Sequence, residues 1–384
     1  MAGDMSLATI GRENVAHVQS LMDGRFDVLA LTAYESFEHL VFTPVVDMPI
    51  PRLVIVPNEG APHIVCQAIG YDLMLDEAMV PATNVHAYYP YDTTVDGGDG
   101  PSLESVIGDL FAELCIDVDR VGVDFEHTTR ANVDLIEQTL PGTVEDCSSI
   151  LRTVFRTPRP EEVERIRTAA SVAERGVEAV LDRLESGLTE YELAAIAERE
   201  MTAAGARARP YDLHVTSGPN SLDPVRRLSR KPVEEGESLV LDFLPKVDHF
   251  FADIARTVVV GTEPTDAQRD LQLTVLRALE HIENKLRPGL QAKEVDAILR
   301  RFFANAGYDG DCITHTGHAV GNDWGPRITS ADASELTEGM VIAVEPGLYI
   351  QGIGGVRIED DFLLTSDGVE SLMSLPRDPV TLSI

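Results

Sequence analysis

Four carboxylates and one imidazole in the second half of the sequence stand at positions from which they could bind metal. Asp242 and Glu345 each follow a short apolar run typical of a strand, and Asp253 and Glu359 follow in hairpin-like patterns. His318 lies between these two pairs of acids. Acids in such apolar settings are costly to bury unless they are paired, protonated or bound to metal. Oxygen ligands with one imidazole suit Mn²⁺, Co²⁺, Fe²⁺ or Zn²⁺, and four carboxylates offset the charge of two such ions, so we predict that these residues bind divalent cations.

An internal repeat supports this grouping. Residues 187–205, "GLTEYELAAIAEREMTAAG", match residues 289–307, "GLQAKEVDAILRRFFANAG", at an offset of 102. Residues 235–242, "EGESLVLD", match residues 338–345, "EGMVIAVE", at an offset of 103. Each copy contains a helical pattern, a glycine turn, an apolar strand and a final acid. We therefore predict a pseudo-twofold domain whose two halves direct acids to one shared centre.

The first part of the sequence predicts a separate α/β domain. Short apolar runs such as "FDVLALTA" and "RLVIVP" are typical of strands, and "PSLESVIGDLFAELCID" has the period of an amphipathic helix. Pro158 and Pro160 then precede a long helical pattern, and Pro160 with the two acids after it suits a first helical turn. We place the domain boundary near residue 150, which divides the chain into 1–150 and 151–384.

The charge of the chain restricts its partners. It has 64 acidic and 31 basic residues, for a formal net charge of −33, and four of the basic residues are lysines. This balance argues against binding to nucleic acid or to anionic membranes through a basic face. A lysine-poor acidic surface is typical of proteins adapted to high salt, in which self-repulsion is screened, and an ordinary acidic protein is the alternative.

The sequence also predicts a cytoplasmic location. It contains no run of about 20 apolar residues, and its start, "MAGDMSLATIGREN", lacks the basic and apolar segments of a signal peptide. Cys66, Cys115, Cys147 and Cys312 are scattered without a CxxC pair. We expect them to be buried thiols in a reducing compartment, and neither a disulfide framework nor a zinc site.

The motifs around the five candidate ligands resemble those of the pita-bread metallopeptidases, which include prolidases, Xaa-Pro aminopeptidases, methionine aminopeptidases and creatinase. The blocks "VTSGPNS", "LVLDF", "ADIARTVVVG", "GHAVG", "VIAVEPGLYI" and "GGVRIEDDFLLT" follow one another in the family's order. The resemblance implies a mixed α/β fold. A creatinase/prolidase-like N-terminal domain would occupy 1–150, and a pseudo-twofold pita-bread catalytic domain would occupy 151–384.

The resemblance also implies roles for the ligands. Asp242 would bind one ion, His318 and Glu345 would bind the second ion, and Asp253 and Glu359 would bridge both. Mn²⁺ or Co²⁺ are the expected ions, with Zn²⁺ or Fe²⁺ as alternatives. A hydroxide held between the two ions would attack the scissile carbonyl. Glu345 would in addition act catalytically, as a carboxylate of raised pKa that carries a proton from the nucleophile to the leaving amine.

Two positions depart from the family pattern. Val225 and Gly325 stand where aminopeptidases of the family carry histidines that bind substrate and stabilise the tetrahedral intermediate. Gly325 follows Trp324, the only tryptophan of the chain. His214 and His249 are the histidines that could replace a missing imidazole.

We therefore predict a metal-dependent hydrolase of the Xaa-Pro dipeptidase or aminopeptidase type, acting on small peptides and forming a homodimer as relatives commonly do. One alternative keeps the two metals but changes the substrate to a small non-peptide amide or other metabolite. A second alternative is a non-catalytic binding protein with the same fold.

Overall fold

The computed structural model of the chain describes residues 6–33, 36–43, 52–89, 94–95, 98–207 and 213–378. One unit of the structure ends at Phe155 and a second begins at Arg156. Among the described helices, none combines the length and the apolar composition needed to cross a membrane. The identity of 1–150 as a creatinase-like domain and of 151–384 as the catalytic domain stays a prediction.

The first unit is built on a mixed six-stranded sheet. Its helices are α1 (Leu7–Met22), α2 (Tyr71–Glu77), α3 (Leu103–Leu114), α4 (Arg130–Thr139) and α5 (Ser148–Phe155). Its strands are β1 (Val28–Leu31), β2 (Leu53–Pro57), β3 (His63–Gln67), β4 (Val85–Tyr88), β5 (Thr94–Val95), β6 (Gly98–Asp99), β7 (Arg120–Val123) and β8 (Thr143–Asp146). The sheet order is β4-β3-β2-β1-β7-β8, and β5 pairs with β6 separately.

Two histidines and three cysteines of the first unit have side chains that could do chemistry, and the structure gives the surroundings of most of them. The imidazoles of His63 and His86 stack, with 3.0 Å between Nδ1 of the first and Nε2 of the second. Cys66, Cys147 and the second unit's Cys312 are buried free thiols, as predicted. The prediction that Cys115 is buried is wrong. Cys115 is the residue that ends α3, where it turns the chain with a φ of 53° and is exposed to solvent.

The second unit contains two larger sheets, each with two helices packed against it, and two two-stranded sheets. Its helices are α6 (Pro160–Leu181), α7 (Glu190–Ala203), α8 (Asp266–Glu283) and α9 (Ala292–Asn305). Its strands are β9 (Leu213–Ser217), β10 (Ser238–Phe243), β11 (Lys246–Val247), β12 (Phe250–Phe251), β13 (Ile254–Val259), β14 (Gly317–Ala319), β15 (Arg327–Ile328), β16 (Val341–Val344), β17 (Gly347–Ile350), β18 (Gly354–Arg357), β19 (Asp360–Leu364) and β20 (Val369–Ser371). One larger sheet has the order β13-β10-β9 and the other β15-β14-β16-β19-β20, and the two-stranded sheets are β11-β12 and β17-β18.

The structure confirms the predicted repeat. Helices α7 and α9 begin 102 residues apart, at Glu190 and Ala292, and strands β10 and β16 begin 103 residues apart, at Ser238 and Val341. The predicted start of α6 at Pro160 is also confirmed, and the side chain of Glu162 there accepts the backbone N–H of Arg159 at 2.8 Å.

Each sheet buries one face under its own pair of helices. Residues of α6 and α7 share an apolar core with alternate residues of β9 and β10, and residues of α8 and α9 share a second core with β16. The two sheets meet at a β-bridge between Ala255 and Glu359, where the Glu359 N–H donates to the Ala255 carbonyl at 3.0 Å. Because the helices cover the outer faces, the inner faces of both sheets are left to position polar side chains.

Candidate metal centre

The five predicted ligands lie at the ends of strands that meet around this bridge. Asp242 is in β10, Asp253 directly precedes β13, His318 is in β14, Glu345 directly follows β16, and Glu359 directly precedes β19. The four acids are 1–3% exposed. The duplicated strands of the two halves therefore carry the acids into the interior, as the repeat predicted.

Four of the five side chains lie close together, with His318 at their centre. The ligand atoms of Asp253, His318 and Glu359 lie within 4.8 Å of one another. The Nε2 atom of His318 is 3.2 Å from Oδ2 of Asp253 and 3.8 Å from Oε1 of Glu345. These distances place three carboxylates around one imidazole nitrogen.

Asp242 joins this group through a buried arginine. The guanidinium of Arg357 binds Oδ2 of Asp242 by Nη1, and its Nη2 atom lies 3.6 Å from Oε2 of Glu345. The hydroxyl of Tyr349 accepts a hydrogen bond from Nε of the same arginine at 3.1 Å. One cation therefore contacts an acid from each half of the repeat, and all five predicted residues belong to a single cluster.

The local chain geometry fixes the orientation of His318. Its Nδ1–H donates to the backbone carbonyl of Ala319 at 2.9 Å, which directs Nε2 toward the carboxylates. The preceding residue must be glycine, because a Cβ atom at Gly317 would lie 2.0 Å from the carbonyl oxygen of Ala343 on the paired strand. An imidazole held in this way by a backbone carbonyl is the arrangement in which a histidine binds metal through its other nitrogen.

Three of the four acids predicted as ligands have a buried oxygen without a hydrogen-bond partner among the described residues. These oxygens are Oδ1 of Asp242, Oδ1 of Asp253 and Oε1 of Glu359. Burial, and then repulsion from Asp242 and Glu345, raises the pKa of Asp253 well above its usual range. Burial, and then repulsion from Asp253, does the same to the pKa of Glu359. Buried, unpaired and mutually repelling oxygens are what divalent cations would neutralise, so the residues present fit a metal centre.

Glu345 is the exception, because cationic and imidazole groups surround it. Burial opposes its ionisation, but Arg357, His315 and His318 together lower its pKa to about 2. The Nε2 atom of His315 lies 2.7 Å from Oε1 of Glu345, and the His315 side chain is 41% exposed. The pKa of Glu345 is therefore lowered, and the expectation that it is raised is wrong. Glu345 is an ionised carboxylate that is linked to solvent through one imidazole.

Sequence reasoning missed His315 and Arg357. The signal for His315 was a second histidine three residues before His318 in "THTGHAVG". The signal for Arg357 was a cation two residues before a candidate ligand in the apolar segment "GGVRIEDD". With His318 and Glu345, His315 forms a second group whose ligand atoms all lie within 4.8 Å.

The two departures from the family pattern differ in their surroundings. Val225 is 75% exposed, so a larger side chain would fit there. At Gly325 a Cβ atom would lie 2.0 Å from the Cβ atom of Ala319, so the fold leaves no room for a histidine. His318, His315, Phe251 and Gly325 line a cleft of about 250 Å³. His249 lies in the turn between β11 and β12 with a φ of 76°, and His214 lies in β9.

Comparison with known proteins agrees with this geometry. The model of metallopeptidase family M24 matches residues 164–366. A Xaa-Pro dipeptidase of Pyrococcus furiosus is 39% identical over 222 residues, and that match spans 57% of this chain and 63% of the relative, less than two thirds of its length. A Xaa-Pro dipeptidase of Pyrococcus horikoshii is 31% identical over 329 residues, spanning 85% of this chain and 87% of the relative.

Solved structures show the same fold over nearly the whole chain. A prolidase structure from Pyrococcus horikoshii has a TM-score of 0.81 and 26% identity, covering 96% of this chain and 99% of that one. A prolidase structure from Pyrococcus furiosus has a TM-score of 0.78 and 27% identity, covering 93% and 99%. The chain therefore belongs to metallopeptidase family M24, with the pita-bread fold, and is a metal-dependent hydrolase.

Proposed function

We propose that this hydrolase cleaves Xaa-Pro dipeptides and that five residues hold its two divalent cations. The proposed ligands are Asp242, Asp253, His318, Glu345 and Glu359. The observation that carries the proposal is the set of three unsatisfied carboxylate oxygens on Asp242, Asp253 and Glu359 around one oriented imidazole. The relatives named Xaa-Pro dipeptidases support the choice of substrate. Carboxylates with one imidazole support Mn²⁺ or Co²⁺, with Zn²⁺ or Fe²⁺ as alternatives.

When bound, the cations would supply a nucleophile from water at neutral pH and would polarise the scissile carbonyl. The protein's own groups then handle the proton. We assign to Glu345 the transfer of a proton from the nucleophile to the leaving amine because Oε1 lies beside both His318 and the partly exposed His315. Its lowered pKa by itself makes this carboxylate a weak base, so the role rests on its position. His315, 2.7 Å from that oxygen and partly exposed, can exchange the proton with solvent. Arg357 keeps Asp242 and Glu345 in place while this happens.

The size of the cleft supports a small substrate. Its volume of about 250 Å³ is below the range of roughly 300–1,000 Å³ that is usual for drug-sized ligands. Phe251 and Pro326 supply apolar walls beside His318, and Asn322 and Asp323 supply polar groups. Such a lining suits the N-terminal residue of a small peptide.

The test combines metal analysis with a substrate panel. The purified protein is loaded with Mn²⁺ or Co²⁺, and its metal content is measured together with kcat/KM for an Xaa-Pro dipeptide, an Xaa-Pro-Xaa tripeptide and a small non-peptide amide. We expect two ions per chain and hydrolysis of the dipeptide that a chelator abolishes and added metal restores. Two bound ions without cleavage of either peptide would contradict the proposal.

One observation favours a second candidate, the hydrolysis of a small non-peptide amide by the same centre. The fold excludes a histidine at Gly325, and Val225 offers no hydrogen-bonding side chain at the other departure. A site without these donors stabilises a peptide oxyanion less well. The amide arm of the same panel decides between the two candidates.

We also propose that the enzyme works in the cytoplasm as a homodimer. All four cysteines are free, which supports a reducing compartment. Sedimentation of the purified protein would measure the oligomeric state, and a monomer at micromolar concentration would contradict the second part of this proposal.

A further inference from the structure

His214 lies directly opposite Asp242 on the neighbouring strand. Strands β9 and β10 are antiparallel, and their register pairs His214 with Asp242 and Thr216 with Val240. Opposed residues of an antiparallel pair project from the same face, with Cβ atoms about 4.5–5.5 Å apart. The imidazole and the proposed metal ligand are therefore neighbours on one sheet face.

That face is the inner one. The alternate residues of both strands, Leu213, Val215, Leu241 and Phe243, belong to the apolar core under α6 and α7. Since successive side chains of a strand point to opposite faces, His214 points away from this core, to the side on which Asp242 meets Arg357. Its position is set by the same strand pairing that sets the position of the ligand.

The imidazole has hydrogen-bonding capacity that the protein leaves unused. Nδ1 of His214 is buried and has no hydrogen-bond partner in the part of the chain that the structure describes. His214 also lines a pocket of about 700 Å³, which is within the usual range for small-molecule sites. A buried ring nitrogen without a partner is unfavourable, so a ligand group that formed a hydrogen bond with it would gain from the contact.

The lining of this pocket indicates the ligand group. Apolar side chains of α7 and of the loop after β9 form most of it, including Ala194, Leu228 and the exposed Val225. The cationic side chain in the lining is Arg227, and the acid, Glu198, is on the helix wall. An imidazole and a guanidinium beside apolar walls suit a carboxylate attached to an apolar group, which is the chemistry of a peptide that ends in proline.

We propose that His214 donates a hydrogen bond to the C-terminal carboxylate of the substrate and so favours dipeptides over longer or amidated peptides. This inference rests on the proposed Xaa-Pro activity, because it names a specificity residue of the same site. It also gives the pocket lined by Val225 and His214 a role in binding the substrate. Val225 has no hydrogen-bond donor in its side chain, and His214 in β9 supplies one.

The test compares a dipeptide with its C-terminal amide. Wild type, His214→Leu and His214→Gln are assayed with an Xaa-Pro dipeptide and with the corresponding dipeptide amide, and binding of the product proline is measured by calorimetry on the metal-loaded protein. Thr216→Val is the matched control, because Thr216 is on the same strand face but opposite Val240. Circular dichroism and thermal unfolding establish that each variant is folded.

A lost hydrogen bond to a charged group is worth about 1.5–3 kcal/mol, so KM for the dipeptide should rise by about tenfold to a hundredfold in both His214 variants. Proline affinity should fall by a similar factor, while KM for the amide and kcat should change less than about threefold. An equal effect on dipeptide and amide, or no effect on either, would overturn the inference. The proposed function is judged separately, by turnover of the wild type. If the wild type turns over neither peptide, unchanged proline binding in His214→Leu still overturns the inference.

Discussion

Arg357 and Asp242 form a buried ion pair that joins the two halves of the repeat at the proposed metal centre. Asp242 is in β10 of the first half, and Arg357 ends β18 of the second. The arginine side chain is 9% exposed and the aspartate side chain 3% exposed. The guanidinium also lies 3.6 Å from Oε2 of Glu345. The pair therefore holds two of the proposed ligands by a cation that comes from the chain itself.

Replacing this arginine should destabilise the metal-free protein strongly. Arg357→Met keeps much of the side-chain volume but leaves Asp242 buried without its cation and removes one of the groups that stabilise the Glu345 carboxylate. We expect the free energy of unfolding to fall by about 3–5 kcal/mol, measured by urea denaturation in the presence of a chelator. Arg301→Met, at an exposed position, should change it by less than about 0.5 kcal/mol. A loss below about 1 kcal/mol for Arg357→Met would show that Arg357 does not compensate these acids.

Replacing Glu345 by glutamine should abolish turnover and keep the fold. The change removes a proposed metal ligand and the proposed proton carrier together, while glutamine is nearly isosteric with glutamate. We expect kcat/KM to fall by about 10³-fold or more, since general acid–base help alone is typically worth 10²–10⁴. Glu338→Gln is the control, because Glu338 is exposed at the start of the same repeat segment. Retention of a tenth of the wild-type rate would remove Glu345 from the proposed mechanism.

The sequence predicted this centre where its signals were local and duplicated. In the sequence, Asp242 and Glu345 each stand seven residues after the Glu of a Glu-Gly pair, at the end of an apolar run, and the second copy of the pattern made chance agreement implausible. Sequence reasoning missed His315 because, in an extended strand, a residue three positions before His318 would point to the opposite face. His315 lies outside β14, and the chain bends at Thr316 before that strand begins, with Nε2 of His315 2.7 Å from Oε1 of Glu345.

Contacts between residues far apart in the sequence determine which acid of the run 359–361 lies at the proposed metal centre. Glu359, Asp360 and Asp361 are consecutive acids, and no periodicity tells which of them faces a metal. In the structure Asp360 binds Arg256 at 2.8 Å, and Asp361 accepts the backbone N–H of Asp253 at 3.0 Å. These partners lie more than 100 residues away in the sequence, so the roles of the three acids follow from the fold.

The histidine pair of the first unit predicts a pH-dependent stability. Burial, and then the neighbouring His86, lowers the pKa of His63 to about 4. The unfolded chain, with a histidine pKa of about 6.5, therefore binds a proton between pH 6.5 and pH 4 that the folded chain does not bind. Stability due to this group is present above pH 6.5 and is lost as the pH falls through that window.

His63→Gln removes the titrating group, so the advantage of the wild type over this variant should shrink by about 2 kcal/mol between pH 7.5 and pH 4.5. Chemical denaturation at each pH measures the free energy of unfolding of both proteins. Groups that titrate alike in both proteins cancel when one free energy is subtracted from the other. His17→Gln, at an exposed position of α1, should show no such change. A constant difference between wild type and His63→Gln would contradict the assignment.

The net charge of −33 leads to the remaining prediction, which concerns salt. The Debye length falls from about 10 Å at 0.1 M to about 3 Å at 1 M, so molar salt screens repulsion between acids that only 31 basic residues offset. If the surface is adapted to high salt, the free energy of unfolding should rise by about 2 kcal/mol or more between 0.1 M and 3 M potassium chloride. Sucrose at matched osmolality is the control, because an excluded neutral osmolyte strengthens burial without screening charge. Equal stability at both salt concentrations, or an equal gain from sucrose, would contradict the halophilic interpretation. The chain would then be an ordinary acidic protein.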